Sequence, residues 1–237
     1  SIVVAESNPA YTSEAGILYD KAKQTLIQCP GAKSGSFSIP ESVTRIGDGA
    51  FGWCRLTSIT IPDSVTSIGD SAFYFCASLT SITIPEGVTS IGVSAFKYCN
   101  RLTSITIGNS VASIGYMAFS SCDRLTDIAI PESVTSIGER AFGWCVRLTN
   151  VTMGSSVTSI GKEAFYSCDS LTEITLPDSL ASIGDGPFSH CDSLTNIVVA
   201  KSNPAFTSEA GVLYDKAKQT LIQCPGAKSG SFSIPES

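Results

Sequence analysis

Apolar residues recur along the chain in a fixed frame. Leu stands at 56, 79, 102, 125, 148, 171 and 194, and Phe at 73, 96, 119, 142, 165 and 188, both at intervals of 23 residues. A preceding unit, FSIPESVTRIGDGAFGWCR, carries Phe51 and Cys54 in the same places and is one residue shorter before Leu56. Within the unit LTSITIPDSVTSIGDSAFYFCAS, Ile59 and Ile61 flank Thr60. That alternation predicts a short strand with one buried face and with Ser58 and Thr60 pointing outward. Pro62 ends the strand, because proline offers a ladder no donor. Val65 and Ile68 supply a second inward pair before Gly69, where a sharp turn is expected. The segment DSAFYFC then reads as one helical or 3₁₀ turn that sends Ala72, Phe73 and Cys76 inward.

One such coil cannot shield its own flanks, so coils must stack, and a fixed period of this length marks a solenoid. The expected fold is of the α/β repeat class: a right-handed solenoid with a parallel sheet on one face and short strands and helical or 3₁₀ turns elsewhere. Parallel strands of successive coils then lie about 4.8 Å apart, and residues of one column form ladders. The frame is interrupted twice. Residues 7–42 recur at 202–237 with only Tyr11/Phe206 and Ile17/Val212 differing, an offset of 195. From Val199 to Ile234 the spacing is 35, so about twelve residues enter one coil. The runs GVLYD and QTLIQ around Asp215, Lys216, Ala217 and Lys218 predict a hairpin that protrudes as a lateral ear. The chain therefore divides into a hairpin-containing long repeat (1–36), seven repeats of 22 or 23 residues (37–195) and a second long repeat (196–237). Its last unit stops where the text written from 43 onward would continue, the expectation for a fragment of a longer array.

Composition narrows the function classes. At 43% hydrophobic and 15% charged the chain folds instead of staying disordered. A net charge of −6 without a Lys/Arg cluster disfavours nucleic acid as a partner. No apolar run has the length of a spanning helix, and SIVVAESNPAY lacks the basic start and apolar core of a signal peptide, so an export signal is expected to be missing or removed.

The units IPxSVTSIGxxAFxxCxxL, together with the inserted segment SNPAYTSEAGILYDKAKQTLIQCP, resemble the BspA-like class of leucine-rich-repeat proteins, with 23-residue repeats of the Treponema pallidum type. The resemblance covers essentially the whole chain. Pro187 stands in place of the usual Ala, Gly108 and Gly154 in place of the proline, and Cys29 and Cys224 where an aromatic is more usual. The resemblance implies a cell-surface or secreted location and an adhesion or interaction role, with no catalytic residues and no cofactor.

Chemistry-bearing residues fall into columns. Cys54, Cys76, Cys99, Cys122, Cys145, Cys168 and Cys191 never approach a CxxC spacing, which argues against metal. Stacked Cβ atoms near 4.8 Å apart exceed the roughly 3.8 Å of a disulfide, so buried free thiols are expected. His190 is the only histidine and lies on a variable turn, so no nucleophile has a base beside it. Glu41, Asp63, Glu86, Glu132 and Asp178 form an acidic column interrupted by Asn109 and Ser155, and a solvated rim accounts for it. Two surfaces remain as binding candidates. One is the outward strand face of Ser58, Thr60, Ser81, Thr83, Ser104, Thr106, Asp127, Asn150, Thr152, Glu173 and Thr175. The other is an edge of variable aromatics before the Cys column: Trp53, Phe75, Tyr98 and Trp144. The aromatics anchor a partner or else cover the core from the side. The expected function is a non-catalytic module that binds a host or cell-surface protein or glycan. The competing reading is a spacer whose units self-associate end to end, and ice binding by the Ser/Thr ladder is a minor one.

Overall fold

The computed structural model describes residues 1–229. Each repeat closes one coil, and the coils stack with two columns of strands. The first column contains Ser34–Ser38, Arg55–Thr60, Ser81–Thr83, Ser104–Thr106, Asp127–Ile130, Asn150–Met153, Glu173–Leu176 and Asn196–Val199. The second contains two-residue strands from Arg45–Ile46 through Ser67–Ile68 and onward to Ser182–Ile183. Pairing is parallel with residues one repeat apart opposed, as in Ser81 with Ser104 and Ser136 with Ser159. Register and sequence period therefore coincide, which converts each repeated position into a physical ladder.

The unbroken ladder is not the one expected. The two-residue strands form a ten-stranded sheet with the first inserted segment, whereas the first column splits into one four-stranded and two two-stranded sheets. Both breaks fall on the downstream side of a coil with glycine in the proline position. A Cβ on Gly108 would stand 2.6 Å from the Pro85 carbonyl oxygen, and one on Gly154 2.6 Å from that of Pro131. At both positions the absent Cβ lets the backbone pass in contact with the upstream coil.

The interior is a column of phenylalanine rings. Phe51 through Phe188 are essentially inaccessible, and successive centroids lie 4.9 to 5.6 Å apart with nearly parallel planes. Beside them run Leu56 to Leu194, Val65 to Val157 and the alanines of the Ala-Phe pair, all buried. Gly69 and its counterparts do not serve a sharp turn. A Cβ on Gly115 would lie 2.8 Å from backbone atoms of Gly92, so the column is glycine because two backbones pass in contact there.

The expected helical turn is absent: the described residues contain no helix. In Gly69–Cys76 the amides of Ala72, Tyr74 and Cys76 donate back three residues, to Gly69, Ser71 and Phe73. The intervening amides of Ser71, Phe73 and Phe75 donate to Val93, Ala95 and Lys97 of the next coil, at 2.7–2.8 Å. A helix is roughly 10 Å across, about twice the coil step, and keeps its hydrogen bonds to itself. Chained turns are thin enough to stack and spend half their donors on the neighbour.

The inserts also differ from a lateral hairpin. Tyr11–Glu14, Ile17–Asp20 and Thr25–Gln28 form an antiparallel meander whose last strand pairs in parallel with Arg45–Ile46. Phe206–Glu209, Val212–Asp215 and Leu221–Gln223 repeat it, held to the preceding strand by the bond from Ile197 N to Gly211 O. The meanders are in line with the stack. Asp20 and Asp215 close their second turns by accepting from the amides four and five residues on. Ile234 and the rest of 230–237 lie outside the described residues.

Candidate functional site

The aromatic edge is built on strained backbone. Trp53, Phe75, Tyr98, Ser121, Trp144, Ser167 and His190 all have φ between 52° and 64°, a left-handed conformation uncommon for such residues. The residue four positions earlier is also left-handed in every one of these coils, from Gly49 and Ser71 to Glu163 and Gly186. Each edge amide is fixed by a bond to the next coil: Trp53 N to Tyr74 O (2.8 Å), Phe75 N to Lys97 O (2.8 Å), Tyr98 N to Ser120 O (2.9 Å) and Trp144 N to Tyr166 O (2.6 Å). Stacking thus over-determines a conformation that costs roughly 1–3 kcal/mol per residue in isolation. No sequence signal revealed this feature, because the residues concerned share no side-chain type.

Two of the four predicted aromatics project from the surface. Trp53 is 60% exposed and Trp144 36%, while Phe75 and Tyr98 are half-buried. Trp53 stacks on Phe75 at 4.2 Å, and Phe75 meets Tyr98 edge-on at 6.0 Å, so three coils contribute to one continuous aromatic strip. Trp144 stands apart with Tyr166 at 5.0 Å. The Arg140 guanidinium lies 5.9 Å from the Trp144 ring centre and is itself held by Glu163 at 2.5 Å. A groove of about 560 Å³ runs beside the strip, lined by Gly31, Trp53, Arg55 and Phe75 among others. A second, of about 490 Å³, lies between Tyr98 and Trp144.

The strand face is flatter. Ser58, Thr60, Ser81, Thr83, Ser104, Thr106, Asp127, Asn150, Thr152, Glu173 and Thr175 are all exposed, and Ile59, Ile82 and Ile105 beneath them are buried. Its depression at Ser58–Ile61 and Ser81–Thr83 measures about 250 Å³. The sequence reading missed a hydroxyl ladder beside it, in which Thr80, Thr103, Thr149 and Thr195 donate at 3.0–3.3 Å to the carbonyl one coil back. Those threonines reinforce the stack.

Cys54 to Cys191 are buried and unpaired by disulfide. From Cys76 onward each thiol donates to a phenylalanine carbonyl, as Cys76 does to Phe51 at 3.1 Å and Cys145 to Phe119 at 3.2 Å. Burial pushes the Cys76 and Cys145 thiols up to about 12. His190 is exposed and lies 5.0 Å from the Tyr166 ring. In the acidic column Glu86 accepts from Asn109 N at 2.6 Å, and Glu132 from Ser155 N and Oγ, both at 2.6 Å, which holds the Glu132 carboxyl below its ordinary range. The two residues that interrupt the column are the partners of its carboxylates. Among the described residues no group of three His, Cys, Asp or Glu side chains is placed to hold a metal, and no helix is long and apolar enough to cross a membrane.

Coils of this length, with parallel two-column strands and a phenylalanine core, define a leucine-rich-repeat β-solenoid. The chain belongs to the BspA-type leucine-rich-repeat family, whose model matches residues 31–145 and 112–211 in six copies. That model describes a repeat region. A leucine-rich cell surface protein of Faecalibacterium prausnitzii is 33% identical with a TM-score of 0.84, over 98% of this chain and 66% of that one. A leucine-rich-repeat protein of Eubacterium ventriosum is 31% identical with a TM-score of 0.78, over 90% and 57%. The pneumococcal vaccine antigen PcpA is 25% identical with a TM-score of 0.65, over 95% and 59%. The present chain thus spans between 57% and 66% of the length of these three. No curated protein matches it.

Proposed function

We propose that this chain is a non-catalytic adhesion module, on the cell surface or secreted, that holds a host or cell-surface protein or glycan on its aromatic edge. The observation that carries the reading is the strip Trp53–Phe75–Tyr98, pinned at its backbone and bordered by a groove of about 560 Å³. Rigid, partly exposed aromatics lose little entropy on binding and supply most of the contact energy in known interfaces. The flat hydroxyl face offers only the shallow depression. Titration against immobilised mucin-type surface glycoproteins tests the choice. Trp53→Ala with Trp144→Ala is expected to weaken binding by at least about tenfold, roughly one anchor residue's contribution, while Ser81→Ala with Thr83→Ala leaves it within about twofold. The opposite ranking moves the site to the strand face, and equal binding by all variants overturns both surfaces.

A second reading, end-to-end stacking, has one observation in its favour. Tyr11 is 46% exposed where its counterpart Phe206 is packed on a coil, so the upstream face of the first meander has the shape that covers a coil end. In a second copy that coil end is already covered by the copy's own second meander, which makes this the weaker reading. Concentration-dependent growth in light scattering supports it, and a monomer at all concentrations rejects it.

A further inference from the structure

The edge column changes character at Ser121. Coils on either side carry Tyr98 and Trp144 in that position, and a serine between them leaves a slot two coil steps wide, roughly 10 Å at parallel-strand spacing. The slot has a volume of about 490 Å³, within the range of sites for small ligands. Its walls are fixed. Lys97 Nζ lies 5.0 Å from the Tyr98 ring centre and 3.0 Å from Met117 Sδ, and the Arg140 guanidinium lies over the Trp144 ring at 5.9 Å. Asn100, oriented with Nδ2 toward the carbonyls, donates to Tyr98 O at 2.7 Å and Ser121 O at 3.1 Å, which ties the floor to both coils.

The polar groups of the slot are under-used. Ser120 lines it, and the Ser120 hydroxyl is buried with no hydrogen-bond partner among the described residues. It is the only buried side-chain polar atom in that condition among them. Asp123 also lines the slot, has no ion pair among the described residues, and has its carboxyl pushed above the usual range by burial. An aliphatic or aromatic side chain entering here would strip water from Asp123 and offer it no partner, an unfavourable exchange. A ring that presents C–H faces to the aromatic walls and a hydroxyl to Asp123 satisfies both requirements. One cation and one carboxylate line the slot, so it carries no net charge that would call for an ionised ligand.

We infer that the slot between Tyr98 and Trp144 is a subsite for one neutral pyranose ring of a glycan. The inference rests on the adhesive reading of the edge and names the ligand class for one part of it. Ser121→Tyr is the decisive variant. It restores the aromatic that neighbouring coils carry, at a position whose φ of 57° is close to the 64° at which Tyr98 is already accommodated. ¹⁵N-labelled protein is titrated with N-acetyllactosamine and cellobiose while the two indole N–H resonances are followed, with Trp144→Phe assigning them. One of the sugars is expected to give a saturable shift at Trp144 with Kd on the order of 1–10 mM, weakened at least about tenfold by Ser121→Tyr. Should that variant fail to fold, Asp123→Ala takes its place, with the same loss expected. No saturable shift with either sugar, or equal affinity in wild type and variant, overturns the subsite. If glycoprotein capture then still depends on Trp53, the adhesive reading stands without the slot; if capture is also indifferent to Trp53 and Trp144, both fall.

Discussion

The two meanders are nearly the same sequence in two settings. From Val4 N to Ser13 Oγ in one and Val199 N to Ser208 Oγ in the other, internal bonds match, as do the Asp20 and Asp215 turns and the Lys23–Glu14 and Lys218–Glu209 ion pairs. Burial matches only in the middle strand, where Ile17 and Tyr19, like Val212 and Tyr214, are inaccessible. The first copy seats its downstream side, with Leu26 inaccessible and Thr25–Gln28 bonded to the Arg45–Ile46 coil, and leaves Tyr11 exposed. The second seats its upstream side, with Phe206 and Leu213 buried, and leaves Leu221 38% exposed. Local sequence specifies the meander, while the neighbouring coil decides which face becomes core, as expected when stability resides in nearest-neighbour interfaces.

The sharpest test is a crossed pair of truncations. Phe206→Ala is expected to cost about 3–5 kcal/mol and Tyr11→Ala under about 0.5 kcal/mol, because only the former empties a packed site. In the other direction, Leu26→Ala costs about 2–5 kcal/mol and Leu221→Ala under about 1 kcal/mol. Urea denaturation followed by circular dichroism reads all four. Parallel losses in both copies would show that the meanders stabilise themselves independently of the coils.

A smaller contrast is expected at one asparagine. Asn203 is buried, its Nδ2 donates to the carbonyls of Pro177 (2.9 Å), Asp178 (3.3 Å) and Leu180 (2.9 Å), and its Oδ1 accepts from Ala205 N and Phe206 N. Asn8 accepts the corresponding two amide bonds, from Ala10 N and Tyr11 N, and its Nδ2 donates to no carbonyl among the described residues. Asn203→Ala therefore costs roughly 2–3 kcal/mol through unpaired buried carbonyls, and Asn8→Ala roughly 0.5–1 kcal/mol. Equal costs in the same urea series would mean that the turn, and not the inter-coil bonds, is what the side chain serves.

This contrast also marks what was legible in sequence. The period, the Phe and Cys columns and the existence of both inserts were visible because every coil repeats them. The seating of the inserts was not, since nearly identical text buries Leu26 in one setting and Phe206 and Leu213 in the other. The helical reading of DSAFYFC failed for a related reason: inward residues at 72, 73 and 76 fit a helix and a chain of turns alike, and the choice is made by carbonyls of the next coil. The first meander strand, YTSE in one copy and FTSE in the other, is too polar to register as a strand without its partner. At the edge the aromatics were visible residue by residue, but the slot is defined by a serine, and a missing side chain becomes a feature only once its neighbours are stacked.

The mildest perturbation separates the copies without touching stability. Cys29 and Cys224 occupy the same place in the two meanders, yet Cys29 is buried, with the Cys54 thiol 3.7 Å from its carbonyl oxygen, whereas Cys224 is half-buried. Thiol reagents need both access and thiolate. Column members such as Cys76, pushed up to about 12, offer neither. The Cys54 thiol beside Cys29 favours its ionised form and holds it below the ordinary value, which by itself promotes reaction at Cys29. Burial opposes that effect. Under native conditions a bulky maleimide is expected to label Cys224 first, with Cys29 following only as denaturant lifts the first meander from the Arg45–Ile46 coil, read by peptide mass after brief labelling. Native labelling of Cys29 at a rate equal to or above that of Cys224 would mean that its acidity outweighs its burial and that the first meander opens readily from its coil.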